Sequence, residues 1–180
     1  LQLTIRMSYE LREELRNGRI DMVLGFVPEI EDEFDCDALL EDIVVVAASK
    51  DHPVFSTKRP TLETLAGYRW ALPNSAVASR AWLDQVFTSR GLPAPFAQIE
   101  TNSIPLVPRV IADTSLLSFI SRRTLQANPS HLREVPLAQT TLVRNFGLTY
   151  SRNSPMSPAA TRLIALLHEH GKSLFETVDS

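Results

Sequence analysis

The opening 27 residues, LQLTIRMSYELREELRNGRIDMVLGFV, constrain the fold more than any other stretch, because three periodicities follow one another without a break. Leu1, Leu3, Ile5 and Met7 alternate with Gln2, Thr4 and Arg6, the period of a half-buried strand. Ser8 stands where it would cap a helix whose Leu11 and Leu15 share a face, and Gly18 where it would end that helix. Residues 19–26 then make a near-continuous apolar run, as expected of a strand covered on both faces of a parallel sheet. The stretch predicts a β-α-β unit. Ligands of open parallel sheets sit beyond the carboxyl ends of the strands, so Ser8, Tyr9, Gly25, Phe26 and Val27 are candidate cleft residues.

The chain continues in the same alternation. Residues 28–37 carry six carboxylates, Glu29, Glu31, Asp32, Glu33, Asp35 and Asp37, with little periodicity, and read as a solvated loop. Residues 39–48 read as a buried strand rich in β-branched side chains, leading to a polar turn at 49–53 that marks a crossover. A short helix over 61–65 closed by Gly67, a strand over 68–72 and a helix from Ser79 stopped by Gly91 and Pro93 repeat the opening logic. Residues 96–100 are predicted as strand, followed by a helix capped by Ser103 that Pro108 must kink or delay. Strands follow over 116–120 and 132–137, and a return strand over 142–150 makes the second crossover. Ser157 and Pro158 begin a closing helix, and Gly171 is expected to end it. Two crossovers imply two lobes and a cleft: residues 1–48 and 147–180 in lobe I, residues 49–146 in lobe II.

Composition narrows the function. A chain of 180 residues with 44% hydrophobic and 22% charged residues has the balance of a soluble globular protein. Its formal net charge of −3 lacks the clustered cations that phosphate backbones require, so the chain is not expected to grip DNA by itself. The single cysteine, Cys36, supports neither a disulfide framework nor a metal site, and no stretch reads as a transmembrane span or signal. Catalytic signatures are missing as well: there is no G-x-S-x-G, no glycine-rich phosphate loop and no H-E-x-x-H. His168 and His170, two apart on a helix, make a poor metal pair, and no cofactor is predicted. The acidic run lacks the spacing of a calcium loop.

Several segments, in order, carry a resemblance. They are the leucine helix with Gly18 and Ile20-Asp21, residues 40–48 closing on His52-Pro53, Leu65-Ala66-Gly67 before Trp70, and residues 82–93. Glu100 to Ser103 before the helix at 107–112, and Gly147 to Arg152 leading to Ser154-Pro155, complete the set. Together they resemble the ligand-sensing region of LysR-type transcriptional regulators, over essentially the whole chain. The resemblance implies the two-lobed α/β fold of type 2 periplasmic binding proteins, each lobe a mixed sheet flanked by helices. It also implies that the first strand-helix unit of lobe I, which would precede Leu1, belongs to a longer polypeptide.

The resemblance further implies a small, anionic effector (an organic, aromatic or sugar acid), a homodimer or homotetramer, DNA contact only through an upstream helix-turn-helix, and a cytoplasmic location without membrane contact. The effector-binding candidates are Ser8, Tyr9, Gly25, Phe26, Val27, Asn74, Ser75, Asn102, Ser103 and Phe146. For Ser8 and Ser103 the competing reading is helix capping, and for Phe26 and Phe146 it is core packing. Arg80, beside the Asn74 loop, reads as a solvated helix residue or as part of an anion-friendly cup. Two rivals from other classes are a solute-binding protein serving a transporter and an enzyme on the same fold.

Overall fold

A computed structural model describes residues 1–27, 32–152 and 156–176. Its elements run in the order α1 (Ser8–Arg16), β1 (Met22–Val27), β2 (Phe34–Ser49), a 3-10 turn (Pro53–Ser56), α2 (Leu62–Ala66) and β3 (Arg69–Leu72). They continue with α3 (Ala78–Thr88), β4 (Ala97–Glu100), α4 (Val107–Ala112), β5 (Leu116–Ser121), α5 (Arg122–Gln126) and β6 (Leu132–Glu134). A second 3-10 turn (Ala138–Thr140), β7 (Leu142–Ser151) and α6 (Pro158–Glu176) complete the chain. Two compact units emerge: the first holds Leu1–Asp42 and Val143–Ser180, the second Ile43–Leu142. The chain passes between them within β2 and at the start of β7.

In the first unit β1 lies antiparallel to β7, in register from Met22 opposite Tyr150 to Val27 opposite Asn145. β7 is flanked on its other side by β2. Gly147 makes that approach possible, because a Cβ on it would overlap the Asp37 carbonyl oxygen and fall within 2.9 Å of Ala38 Cα. Among the described residues one small apolar cluster joins Leu15, Val23 and Phe34, with Leu11 and Ile20 packed against them, and Leu39, Leu148 and Ala160 are buried outside it. Polar contacts supplement it. Arg152 donates to Asp35 at 2.9 Å, and the Tyr150 hydroxyl donates to Asp37 at 2.9 Å, where His168 also approaches at 3.2 Å.

The second unit is built differently. β5 runs antiparallel to the second half of β2 and parallel to β3, which in turn runs parallel to β4, while β6 pairs with the end of β2. Alternation sends Val44, Val46 and Ala48 to one face, packed with Trp70, Leu83, Phe87 and Leu117, and Val45 and Ala47 to the other, with Ile111, Ile120 and Leu125. Both faces are therefore apolar, which is why β2 reads as a continuous hydrophobic run here.

Several local expectations fail. Residues 1–7 form no strand despite their alternation, and Leu1, Leu3 and Ile5 are exposed; no described strand lies beside them to complete a ladder. The opening β-α-β unit is accordingly absent, and β1 is antiparallel to its neighbour. Ser8 is the first residue of α1 and does not cap it, since the Met7 N–H at the cap is taken by the Glu10 carboxylate at 3.0 Å. The acidic segment is only partly loop: β2 already begins at Phe34, because Asp35 and Asp37 find partners on β7 and beyond, while residues 28–31 lie outside the described ones.

α4 starts only at Val107, with Leu106 as its cap and Pro108 accommodated in the first turn, so Ser103 does not cap it. β6 stops at Glu134, short of Pro136. Gly171 does not end α6; it lies buried inside the helix, where a Cβ would rest 3.7 Å from Leu39 Cδ1. Ser157, by contrast, caps as expected, its Oγ accepting the Ala160 N–H at 3.2 Å.

Candidate functional site

All but Tyr9 of the candidate residues of the first unit lie on or beside β1 and β7. Register places Gly25 opposite Gly147 and Phe26 opposite Phe146. With no side chain on Gly25, the Ser8 hydroxyl comes close, 4.0 Å from where its Cβ would be. The Ser8 hydroxyl has no hydrogen-bond partner among the described residues. Tyr9 is exposed, and Val27 ends β1 opposite Asn145.

Phe26 and Phe146 pack edge to face with ring centroids 5.8 Å apart, and the Arg144 guanidinium lies 3.2 Å over the Phe26 ring. Arg144 in turn donates to Asp42 at 2.9 Å. Burial pulls the Arg144 pKa below its ordinary value while Asp42 opposes the shift, so the guanidinium stays charged. Further along β7, Tyr150 is pushed up to about 12, first by burial and then by its hydrogen bond to Asp37, so it remains a donor. Arg144 was not among the sequence candidates. The signal was present, a cation two positions before Phe146 and so on the same strand face.

Asn74 and Asn102, in the second unit, lie in neighbouring loops after β3 and β4. The Asn74 N–H donates to Asn102 Oδ1 at 3.2 Å, and Asn74 Oδ1 accepts the Ala76 N–H at 3.1 Å. The Ser103 N–H donates to Thr101 Oγ1 at 3.1 Å, and Ser75 and Ser103 are exposed. Arg80 corrects both of its sequence readings. It is 9% exposed, pairs with Asp84 at 2.8 Å, and donates to the Pro73 carbonyl at 3.5 Å and the Pro95 carbonyl at 3.1 Å. It braces the base of the Asn74 loop and is neither solvated nor open to an anion. His52, also buried, accepts the Val54 N–H through Nδ1 at 3.0 Å and so holds its proton on Nε2, facing the Ser115 carbonyl at 3.1 Å. Its role is structural.

This arrangement of loops and strands has counterparts of known kind. The family model of the LysR substrate binding domain matches residues 1–172. The chain belongs to that family. It is thus a LysR-type effector-binding domain. Among curated relatives, the transcriptional regulator GalR of Pseudomonas putida is 29% identical over 163 residues, 88% of this chain and 41% of that protein. GbpR of Azospirillum brasilense is 24% identical over 172 residues, 93% of this chain and 50% of that protein. The chain thus spans about half or less of the length of these relatives.

Solved structures agree on the fold. The CcmR regulatory domain of Synechocystis PCC6803, in complex with 2-PG, superposes with a TM-score of 0.83 at 17% identity over 96% of this chain and 84% of that one. The effector-binding domain of QuiR in complex with shikimate gives 0.77 at 16% identity, over 93% and 79%. The LysR-type domain carries no described helix long and apolar enough to cross a membrane.

Proposed function

We infer that this LysR-type domain senses a small anionic metabolite and passes the signal to an upstream helix-turn-helix, and that it works in the cytoplasm as part of a homodimer or homotetramer, without catalysis of its own. The single observation that carries the reading is the family match over residues 1–172, in company with relatives that are transcriptional regulators. That solved relatives are complexes with 2-PG and shikimate supports a small, acidic effector class. The contacts fall in two sets. Ser8, Tyr9, Gly25, Phe26, Val27 and Phe146 serve on the first unit, with Arg144 supplying positive charge beside them. Asn74, Ser75, Asn102 and Ser103 serve on the second. Signalling then rests on differential affinity of the effector for alternative conformations of the domain.

A thermal-shift screen of organic, aromatic and sugar acids tests the reading, because a ligand that binds only the folded state raises the melting temperature. At least one acid should raise it, and Ser8→Ala and Ser103→Ala should each reduce that rise by half or more while leaving the unliganded melting temperature within about 1 °C, as expected for hydroxyls that cap no helix. Unchanged ligand shifts in both variants, alongside lowered unliganded stability, would show the serines to be structural only.

A further inference from the structure

The two asparagines of the second unit share one chemical orientation. Asn74 Oδ1 accepts the Ala76 N–H, and Asn102 Oδ1 accepts the Asn74 N–H. An asparagine amide has one acceptor oxygen and one nitrogen carrying two donors. Reversing either amide would set an NH2 group against a backbone N–H, donor against donor, so the network dictates the orientation. Both carbonyl oxygens are therefore committed to the backbone. Both Nδ2 groups lack a hydrogen-bond partner among the described residues, and they lie on a half-buried and an exposed residue respectively. The loops that carry them are tied to each other by the Asn74–Asn102 bond, and the Asn74 loop is anchored below through the Arg80 bond to the Pro73 carbonyl, so the amides are held in place before any ligand arrives.

We propose that Asn74 and Asn102 are specificity-determining residues that present only hydrogen-bond donors, and that they select a head group whose oxygens are all acceptors, a carboxylate or phosphate, over an amide of the same shape. The proposal rests on the effector reading above and adds to it the atoms that discriminate. An ionised carboxylate offers an acceptor oxygen to each amide and makes the stronger, charge-assisted bonds. A carboxamide offers one oxygen and turns its own donors toward the second asparagine. Asparagine to aspartate is the informative change, because one carboxylate oxygen keeps the backbone bond that holds the loop while the outward donor becomes a negative charge.

The test is a heteronuclear NMR titration of the 15N-labelled chain with sodium acetate, inorganic phosphate and acetamide, the side-chain NH2 signals being assigned through Asn74→Asp and Asn102→Asp. Acetate or phosphate should move both NH2 signals saturably, with at least about tenfold higher affinity than acetamide, and whichever anion saturates first identifies the head group. Each aspartate variant should weaken that anion about tenfold or more while its melting temperature stays within about 1 °C of the parent. Signals unmoved by both anions, equal movement by acetamide, or aspartate variants that bind as well as the parent would each overturn the proposal. The two readings fail separately: an acid that stabilises the chain while these signals stay still removes the amide pair alone, and moving signals without any stabilising acid in the thermal screen remove the effector reading alone.

Discussion

The two units solve the same problem with different materials. The second buries apolar side chains on both faces of its sheet, down to fully buried Trp70, Phe87, Leu117 and Ile111, and positions its candidate residues by hydrogen bonds among loops. Among the described residues the first has a smaller apolar cluster, Leu15, Val23 and Phe34, with Leu39, Leu148 and Ala160 buried outside it, and adds polar pins onto β2: Asp42 with Arg144, Asp37 with Tyr150 and His168, Asp35 with Arg152. Apolar burial is indifferent to charge state and tolerant of direction, whereas a charged pin works only in one geometry. A unit held by pins therefore has its local structure set by a few residues, and removing one has consequences far from it in sequence.

The largest effect separating the units should come from the better-packed one. Phe87→Ala removes a fully buried ring that packs edge to face on Trp70, and should cost about 3–5 kcal/mol in denaturant unfolding. Hydrogen exchange should show the loss concentrated in residues 43–142; equal loss in both units would break the distinction. Gly147→Ala comes next. Its Cβ has no space against the Asp37 carbonyl, and separating β2 from β7 should cost roughly 3 kcal/mol, with exchange protection lost first in β1 and β7. A fully stable Gly147→Ala would mean that the two strands are less tightly joined than their spacing implies.

Arg144→Met sharpens the comparison by testing a pin. It takes the counter-ion from Asp42, which is 6% exposed, and the cation from the Phe26 ring; because Arg144 keeps some exposure, a cost of about 2–3 kcal/mol is expected by urea unfolding. The double variant Arg144→Met with Asp42→Asn should recover part of it. An Arg144→Met protein as stable as the parent would reduce the pin to decoration.

The smallest effect is a pH dependence located in the second unit. Burial lowers the His52 pKa from its ordinary 6.5, so the folded state favours the neutral ring. Between that value and the lower folded one the unfolded chain binds the extra proton. The His52 contribution is thus intact above 6.5 and is lost as the pH falls below it toward the folded pKa. His52→Gln should flatten the fall in stability below that pH, read from melting temperatures across an acid series. An unchanged slope would assign it to carboxylates elsewhere.

Much of this architecture was legible in residue order. The run Val44-Val45-Val46-Ala47-Ala48 announced a strand covered on both sides, and Gly91, at a positive φ of 74°, stood where the helix before it had to stop. Ser157 capped, and Pro108 delayed its helix. The family could be recognised from the order of such pieces, each of them local. The candidate residues were legible as types in loops, but their roles were not. Arg80 and Asn102 are a charged and a polar residue near a loop in sequence; one proves to be a buried brace and the other an amide with its oxygen already committed.

What the sequence determined by itself were the features that short-range physics decides: periodicity, caps, glycine and proline stops, and the family those pieces spell. Pairings across long separations, by contrast, were set by the folded chain. Residues 1–7 alternate like a strand yet have no ladder among the described residues, since a strand's hydrogen bonds belong to its neighbour. Asp35 and Asp37 looked like solvated charge until Arg152, Tyr150 and His168 arrived from more than a hundred residues away. A side chain's partner is a property of the folded chain, because burial and hydrogen bonding are fixed by whatever the fold brings within about 3 Å, and sequence distance carries no information about that.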